Sequence, residues 1–296
     1  MSGMHRNRVK KQGKFRLLVQ IIATVFFNGY FMGIMKGKIY TGKSKGICVP
    51  VLNCYSCPSA LGACPIGALQ TVAGGQKHKI SFYALGTLMV FGVLLGRLIC
   101  GFLCPFGLFQ DLLDKIPVKK ISIPKKIDKP LRYLKYGILL FLVLLFPAVI
   151  TDQYGTGEPW FCEYICPAGT MEGGLFHVAV NEQLRKLVGT LFYWKVFLLV
   201  VVIIGAMKIS RFFCRYVCPL GAFYSLFHRF SFHQMHVNAM QCTHCHACEK
   251  VCPMALNVPQ ELNSSECIRC GKCRAVCPEQ VITSNFSLHE KNNICE

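Results

Sequence analysis

The chain alternates between long runs without charge and short segments crowded with Lys, Arg and Cys. Four apolar runs fall at 17–35, at 80–99 with Arg97 near its end, at 136–150, and at 187–207 with Lys195 inside. A helix that crosses the hydrocarbon core of a bilayer takes about 20 apolar residues. The first two runs meet that length. The third is short unless its helix begins a turn earlier, and the fourth suffices if its flanking Lys and Arg reach the interface. Four transmembrane helices are therefore expected. Buried helices of a soluble protein are the competing reading, and four such runs so close together count against it. From about Ser231 the hydropathy falls, which marks a separate soluble tail.

Composition supports this division. The sequence is 53% hydrophobic and 16% charged, against about 25% charged in soluble domains. Lys and Arg number 33 against 14 Asp and Glu. A nucleic-acid binder would share the basic excess but not the apolarity, so no nucleic-acid partner is expected. The bases read instead as topology signal. With both termini cytoplasmic, 17 Lys and Arg of the tail-side loops lie inside against 8 outside. The basic lead (Arg6, Arg8, Lys10, Lys11, Lys14, Arg16) precedes the first run without a small-x-small cleavage site, so that run reads as an uncleaved anchor. The expected location is the cytoplasmic membrane, with several spans.

Nineteen cysteines change the picture again. Such a number suits a disulfide framework, zinc sites or iron–sulfur clusters. The tail decides for clusters. It carries Cys242-x2-Cys245-x2-Cys248-x3-Cys252-Pro and then Cys267-x2-Cys270-x2-Cys273-x3-Cys277-Pro. In this ferredoxin run three thiolates hold one cubane and the fourth reaches the other. One [4Fe–4S] cluster is expected on Cys242, Cys245, Cys248 and Cys277. The second is expected on Cys267, Cys270, Cys273 and Cys252. Gly271 suits the tight turn that brings backbone N–H groups to sulfur. Zinc uses Cys-x2-Cys pairs but not this duplicated triple run. Cys242-Thr-His-Cys245-His246 also matches a c-type haem motif. Its place inside the ferredoxin run argues against haem and leaves His244 and His246 as loop or tuning residues.

Ten more cysteines lie ahead of the tail. Cys100-x3-Cys104-Pro-x-Gly107 follows the second apolar run. Cys214-x3-Cys218-Pro-x-Gly221 follows the fourth, 114 residues later. Cys64-Pro-x-Gly67 and Cys162-x3-Cys166-Pro-x-Gly169 lie in the intervening outer loops. This is an internal repeat. Equivalent loops of a parallel repeat meet, so Cys100, Cys104, Cys214 and Cys218 are expected to hold a cluster at the inner membrane face. Cys64, Cys162 and Cys166, with Cys54 or Cys57, are candidates for an outer one. A disulfide is the competing reading for the outer set. Pro after Cys opens a helix whose N-terminus favours thiolate. Cys48 and Cys295 stay unassigned. Asp111 and Asp114 read as a solvated helix face, and His177 as a lone haem-ligand candidate without a partner. Arg97, Arg211 and Arg215 flank the inner cysteines, as anchors or as charges that favour a reduced cluster.

The expected fold is an α-helical membrane protein with a tandem two-helix repeat and a C-terminal α+β ferredoxin-like domain. Its parts are a basic tail (1–16), repeats at 17–126 and 127–230, and the two-cluster domain (231–296). The two Cys-x3-Cys-Pro loops and the ferredoxin runs resemble the NapH/NosR/YccM group of membrane polyferredoxins, over nearly the whole chain. The resemblance implies electron transfer between a cytoplasmic or quinone pool and acceptors across the membrane, with the ferredoxin domain in the cytoplasm. NapH-like members serve a quinol dehydrogenase route to nitrate reductase. Outer cysteines are not part of that pattern. Their presence suits a branch that delivers electrons to an extracytoplasmic carrier such as a flavin-bearing protein. The expected partners are membrane lipid and redox proteins on either side, or quinone. Two other readings are a quinol-oxidising subunit with a pocket near the inner cysteines, and a maturation or redox-sensing protein. No P-loop, dinucleotide fingerprint, HExxH or nucleophile elbow is present, and no catalytic residue stands out.

Overall fold

The computed structural model describes residues 3–75, 82–152 and 157–286. Cys295 and the first two positions of the 80–99 run lie outside them. The basic lead and the first apolar run form one helix, Gly3–Phe27. It stops at Asn28-Gly29-Tyr30, and a short helix, Phe31–Lys36, follows. The stop has a tertiary cause. Leu61 N–H donates to Phe27 O, and Tyr30 N–H donates to Ser59 O, so this backbone anchors the following loop instead of continuing the helix.

The second run is likewise divided into Tyr83–Leu95 and Leu98–Phe102, at Gly96 with φ +55°. The third begins much earlier than its apolar stretch. It runs without a break through Lys125–Gly137, a π-helical stretch Ile138–Leu145, and Phe146–Val149. The fourth is Thr190–Lys208. Among the described residues, two helices are long and apolar enough to cross a membrane, Lys125–Val149 and Thr190–Lys208. At 1.5 Å per residue they reach about 37 and 28 Å, against a core of about 30 Å. Only 28% and 17% of their apolar windows are buried. Phe141, Leu144, Phe197, Val200 and Ile204 face outward, unlike the side chains of a core helix in a soluble protein.

Four of the five Cys-Pro pairs ahead of the tail open a helix, and Cys57-Pro58 enters a turn instead. The first three begin at Pro65–Gly74, Pro105–Leu113 and Pro167–Gly169, and the last is Pro219–Phe227. Proline supplies a preset φ at a position where its missing N–H costs nothing. The Cys before each proline is the N-cap, and the Sγ atoms of Cys166 and Cys218 accept the N–H of Gly169 and Gly221 at 3.4 Å.

The tail is α+β. Strand β1 (His233–Val237) pairs antiparallel with strand β2 (Ile282–Phe286), His233 opposite Phe286. Three short helices, Ala247–Lys250, Val258–Glu261 and Lys272–Val276, lie between them. Met235, Val258, Leu262, Val281 and Ile282 form its core.

Three buried carboxylates fasten the parts together, each between two cations. Asp111 meets Arg16 and Arg211. Asp128 meets Arg132 and Arg215. Glu266 of the tail meets Arg97 and Lys135 at 3.0 and 2.5 Å. Asp111 is therefore not the solvated helix residue that its spacing suggested. Its face turns inward because the basic lead of the first helix packs over it. Asp114 is partly exposed and pairs with Lys120.

Candidate iron–sulfur sites

Sixteen of the described cysteines gather into four groups of four. In the tail, Cys242, Cys245, Cys248 and Cys277 line one cavity. Cys252, Cys267, Cys270 and Cys273 line a second. These are the two crossed sets read from the spacing. Gly271 adopts φ +73°, as a tight turn requires, and a Cβ there would meet Gln12 at 2.7 Å. His246 takes the matching left-handed position in the first run, at φ +54°, and its ring faces Glu249 at 3.2 Å. His244, at φ +49°, matches Arg269 at φ +50°.

The third quartet is Cys100, Cys104, Cys214 and Cys218, all buried and mutually adjacent. Arg211 Nη1 donates to Cys100 O at 2.6 Å and lies 4.0 Å from Cys214 Sγ. Arg97 Nη2 donates to Cys214 O at 3.3 Å. Both arginines thus sit at the quartet, whereas Arg215 turns to Asp128.

The fourth quartet includes Cys54 and not Cys57. Cys54, Cys64, Cys162 and Cys166 neighbour one another. Cys57 turns away to Ser59 Oγ at 3.1 Å and to Asn28. The sequence held no signal to separate Cys54 from Cys57, because their difference lies in the loop's path. Cys48 lies beside this quartet without entering it. His177 Nε2 contacts Ser56 O at 2.9 Å and is no haem-type pair. A cavity of about 1000 Å³ opens beside the thiols, mostly apolar, with Lys195 and His177 among its polar wall.

The third and fourth quartets stand close together. The segment after Cys48 dives into the core, with Val51, Leu52 and Asn53 at 2% exposure or less. The N–H of Leu52 is directed at Cys104, and that of Asn53 at Cys64. Adjacent backbone nitrogens are at most about 3.6 Å apart, so these two sulfurs lie within roughly 12 Å. The tail adjoins the third quartet in turn. A Cβ on Gly101 would lie 2.6 Å from Ile268 O and 3.8 Å from Cys270 Cα.

The donor chemistry fits cubanes better than single ions. Among the described residues, no three His, Cys, Asp or Glu side chains close on one metal ion. Four thiolates on one zinc at about 2.3 Å would stand only about 3.8 Å apart. A cubane spreads its ligands wider. Crowding also demands a cation. Burial pushes the Cys267 thiol up to about 12, and the neighbouring Cys270 and Cys252 charges add to the push. Such a group holds its thiolates only when a bound metal centre neutralises them.

Quartets of thiols, two of them in a ferredoxin-type tail, define a 4Fe–4S protein. The comparisons agree. A 4Fe–4S binding domain matches residues 80–124, 136–186 and 190–235, and each segment carries one Cys-x3-Cys-Pro. A 4Fe–4S dicluster domain matches 234–278. Uncharacterized protein MJ0750 of Methanocaldococcus jannaschii is 30% identical over 188 residues, 60% of this chain and 67% of that protein. YccM of Escherichia coli is 28% identical over 61% of this chain and 48% of its own length. The methylamine utilization ferredoxin-type protein MauN of Methylorubrum extorquens is 25% identical over 83% and 76%. The chain thus spans only about half of YccM. No solved structure matches. The chain belongs to this polyferredoxin-like family of 4Fe–4S electron-transfer proteins.

Proposed function

We propose that the protein is a membrane-bound conductor that moves electrons between a cytoplasmic donor and an extracytoplasmic acceptor. Four clusters are held in series by the two tail quartets, then Cys100/Cys104/Cys214/Cys218, then Cys54/Cys64/Cys162/Cys166. The observation that carries the reading is the Leu52–Asn53 step, whose consecutive N–H groups face sulfurs of two different quartets. Bound in these sites, [4Fe–4S] clusters would supply one-electron carriers. The chain's own part is to bury them, to set their spacing and to charge their surroundings. Electron tunnelling weakens steeply with distance, so a short backbone step between quartets is what a conductor needs. In this reading the four apolar runs cross the bilayer, although the first two do so as broken helices, and both termini are cytoplasmic. The two-fold repeat explains why Cys-Pro helices turn their N-termini, the positive ends of their dipoles, toward thiolates.

A second reading follows from the cavity of about 1000 Å³. Its apolar wall beside a redox-capable quartet suits a quinone. It adjoins the Cys54 quartet, not the Cys100 quartet where such a pocket was expected. Anaerobic iron and sulfide analysis of purified protein tests the main reading. About 16 Fe per chain supports four clusters, and about 8 leaves only the tail. Cys162→Ser with Cys166→Ser should remove about 4 Fe. A quinone analogue that perturbs only the Cys54 quartet would favour the second reading.

A further inference from the structure

We infer that Gln70 and Gln110 are matched positioning residues that tune the two quartets ahead of the tail, each by donating an amide N–H to one cysteine sulfur. The inference rests on the cluster reading above. Both side chains are fully buried at 0% exposure. Gln70 Nε2 donates to Cys162 Sγ at 3.1 Å, and Gln110 Nε2 donates to Cys214 Sγ at 3.1 Å.

The amide orientation is fixed by chemistry. Gln70 Oε1 accepts the Phe161 N–H at 2.9 Å, and Gln110 Oε1 accepts the Phe213 N–H at 3.0 Å. A backbone N–H only donates, so the oxygen must face it and the NH2 must face sulfur. The second N–H of each amide reaches the carbonyl four residues back, Ile66 O at 3.2 Å and Phe106 O at 3.4 Å. Both N–H donors and the oxygen of each buried amide are thereby engaged, as burial requires. The two arrangements agree to within 0.2 Å in every contact.

The same position recurs in all four Cys-Pro helices. Gln70, Gln110, Glu172 and Tyr224 each lie six residues after the Cys of Cys-Pro-x-Gly. Glu172 accepts the Cys54 N–H at 2.9 Å, and Tyr224 donates to Pro50 O at 2.8 Å. All four brace an opposing strand of chain, but only the glutamines give a proton to sulfur. A hydrogen bond to a ligand sulfur stabilises the reduced, more negative state and raises the potential. Loss of the donor should therefore lower the potential of one quartet and leave the other three unchanged.

The test is an anaerobic redox titration followed by EPR on the full chain in detergent, with iron content measured on the same samples. The variants are Gln70→Leu, Gln70→Glu, Gln110→Leu and Gln110→Glu. Glutamate keeps the acceptor for the Phe N–H and removes the donor to sulfur. The expected result is retained iron and one displaced midpoint per variant. The reduced-to-oxidised ratio at fixed potential should fall at least tenfold, about 59 mV for one electron. Gln70 and Gln110 variants should displace different centres. Unchanged midpoints at full iron would overturn the inference. So would loss of iron from both the Leu and the Glu variant, which would leave the amide a strut. Wild-type protein with only about 8 Fe would defeat the cluster reading itself, a separate result seen before any variant is made.

Discussion

Glu266→Ala should loosen the tail from the helical part. Glu266 is held between the guanidinium of Arg97 and the ammonium of Lys135, both with side chains at 0% exposure, and its own is at 11%. The ion pairs alone say little about net stability, because desolvation offsets much of the attraction. Removing the anion is different, since two buried cations then lose their shared partner. Breaking one buried pair typically costs about 3–5 kcal/mol. The tail keeps its other attachments, namely Arg132 to Met254 O at 2.8 Å and Arg269 to His228 O at 2.9 Å. Partial detachment is therefore expected. At about 1.4 kcal/mol per factor of ten, the opening equilibrium of the interface should rise by roughly 150- to 4000-fold. Amide hydrogen exchange reads this directly, because protection reports the free energy of local opening. Backbone amides around Ser264 and Cys267 should lose protection by that factor, with iron content unchanged. Glu266→Gln should lose less, because one oxygen still accepts from a cation. Exchange within a factor of ten of wild type in Glu266→Ala would refute the idea that this triad holds the interface.

Other outcomes follow from particular contacts. Cys54→Ser should remove about 4 Fe and Cys57→Ser none, because only Cys54 faces the quartet; equal losses in elemental analysis would contradict that assignment. Gly101→Val should separate the tail from the Cys100 quartet, since even a Cβ would sit 2.6 Å from Ile268 O. Magnetic coupling between the two centres, read by EPR relaxation, should weaken while iron stays. His233 is held neutral by burial and by Arg269, which push its pKa down to about 4. The unfolded state then binds the extra proton below about 6.5. The strand pair should lose stability as pH falls from about 6.5 toward 4, and His233→Phe should flatten that dependence in thermal melts followed by circular dichroism.

Much of the candidate site was legible from spacing alone. The tail's crossed sets follow from two short runs in which each local turn brings its own three sulfurs together. Local chemistry also read the helices that open at Pro65, Pro105, Pro167 and Pro219, because proline acts on its immediate neighbours. The helical part was legible only in outline. Its apolar runs mark where apolar helix falls, but only two of the four lie in helices long and apolar enough to cross a membrane among the described residues, because a run does not reveal where its backbone is diverted. The helix stop at Asn28–Tyr30 comes from Ser59 and Leu61, some thirty residues away. The early start of the helix at Lys125 depends on Asp128, Arg132 and Lys135 finding partners in other elements, and the inward turn of Asp111 on Arg16 and Arg211.

The choice of Cys54 over Cys57 and the braces at Gln70 and Gln110 had no sequence signature visible in one chain. A polar residue six places after Cys-Pro reads as ordinary helix surface until the facing segment is in place. The sequence alone determined that the chain carries thiols in repeated fours, with a ferredoxin tail behind apolar helices, because those features are set by covalent neighbours. Only tertiary structure decided that two quartets share one dipeptide and that the tail rests on Gly101. Those arrangements depend on a loop leaving the surface and burying Val51–Asn53, and the balance of packing and hydrogen bonds that draws it inward is spread over the whole molecule.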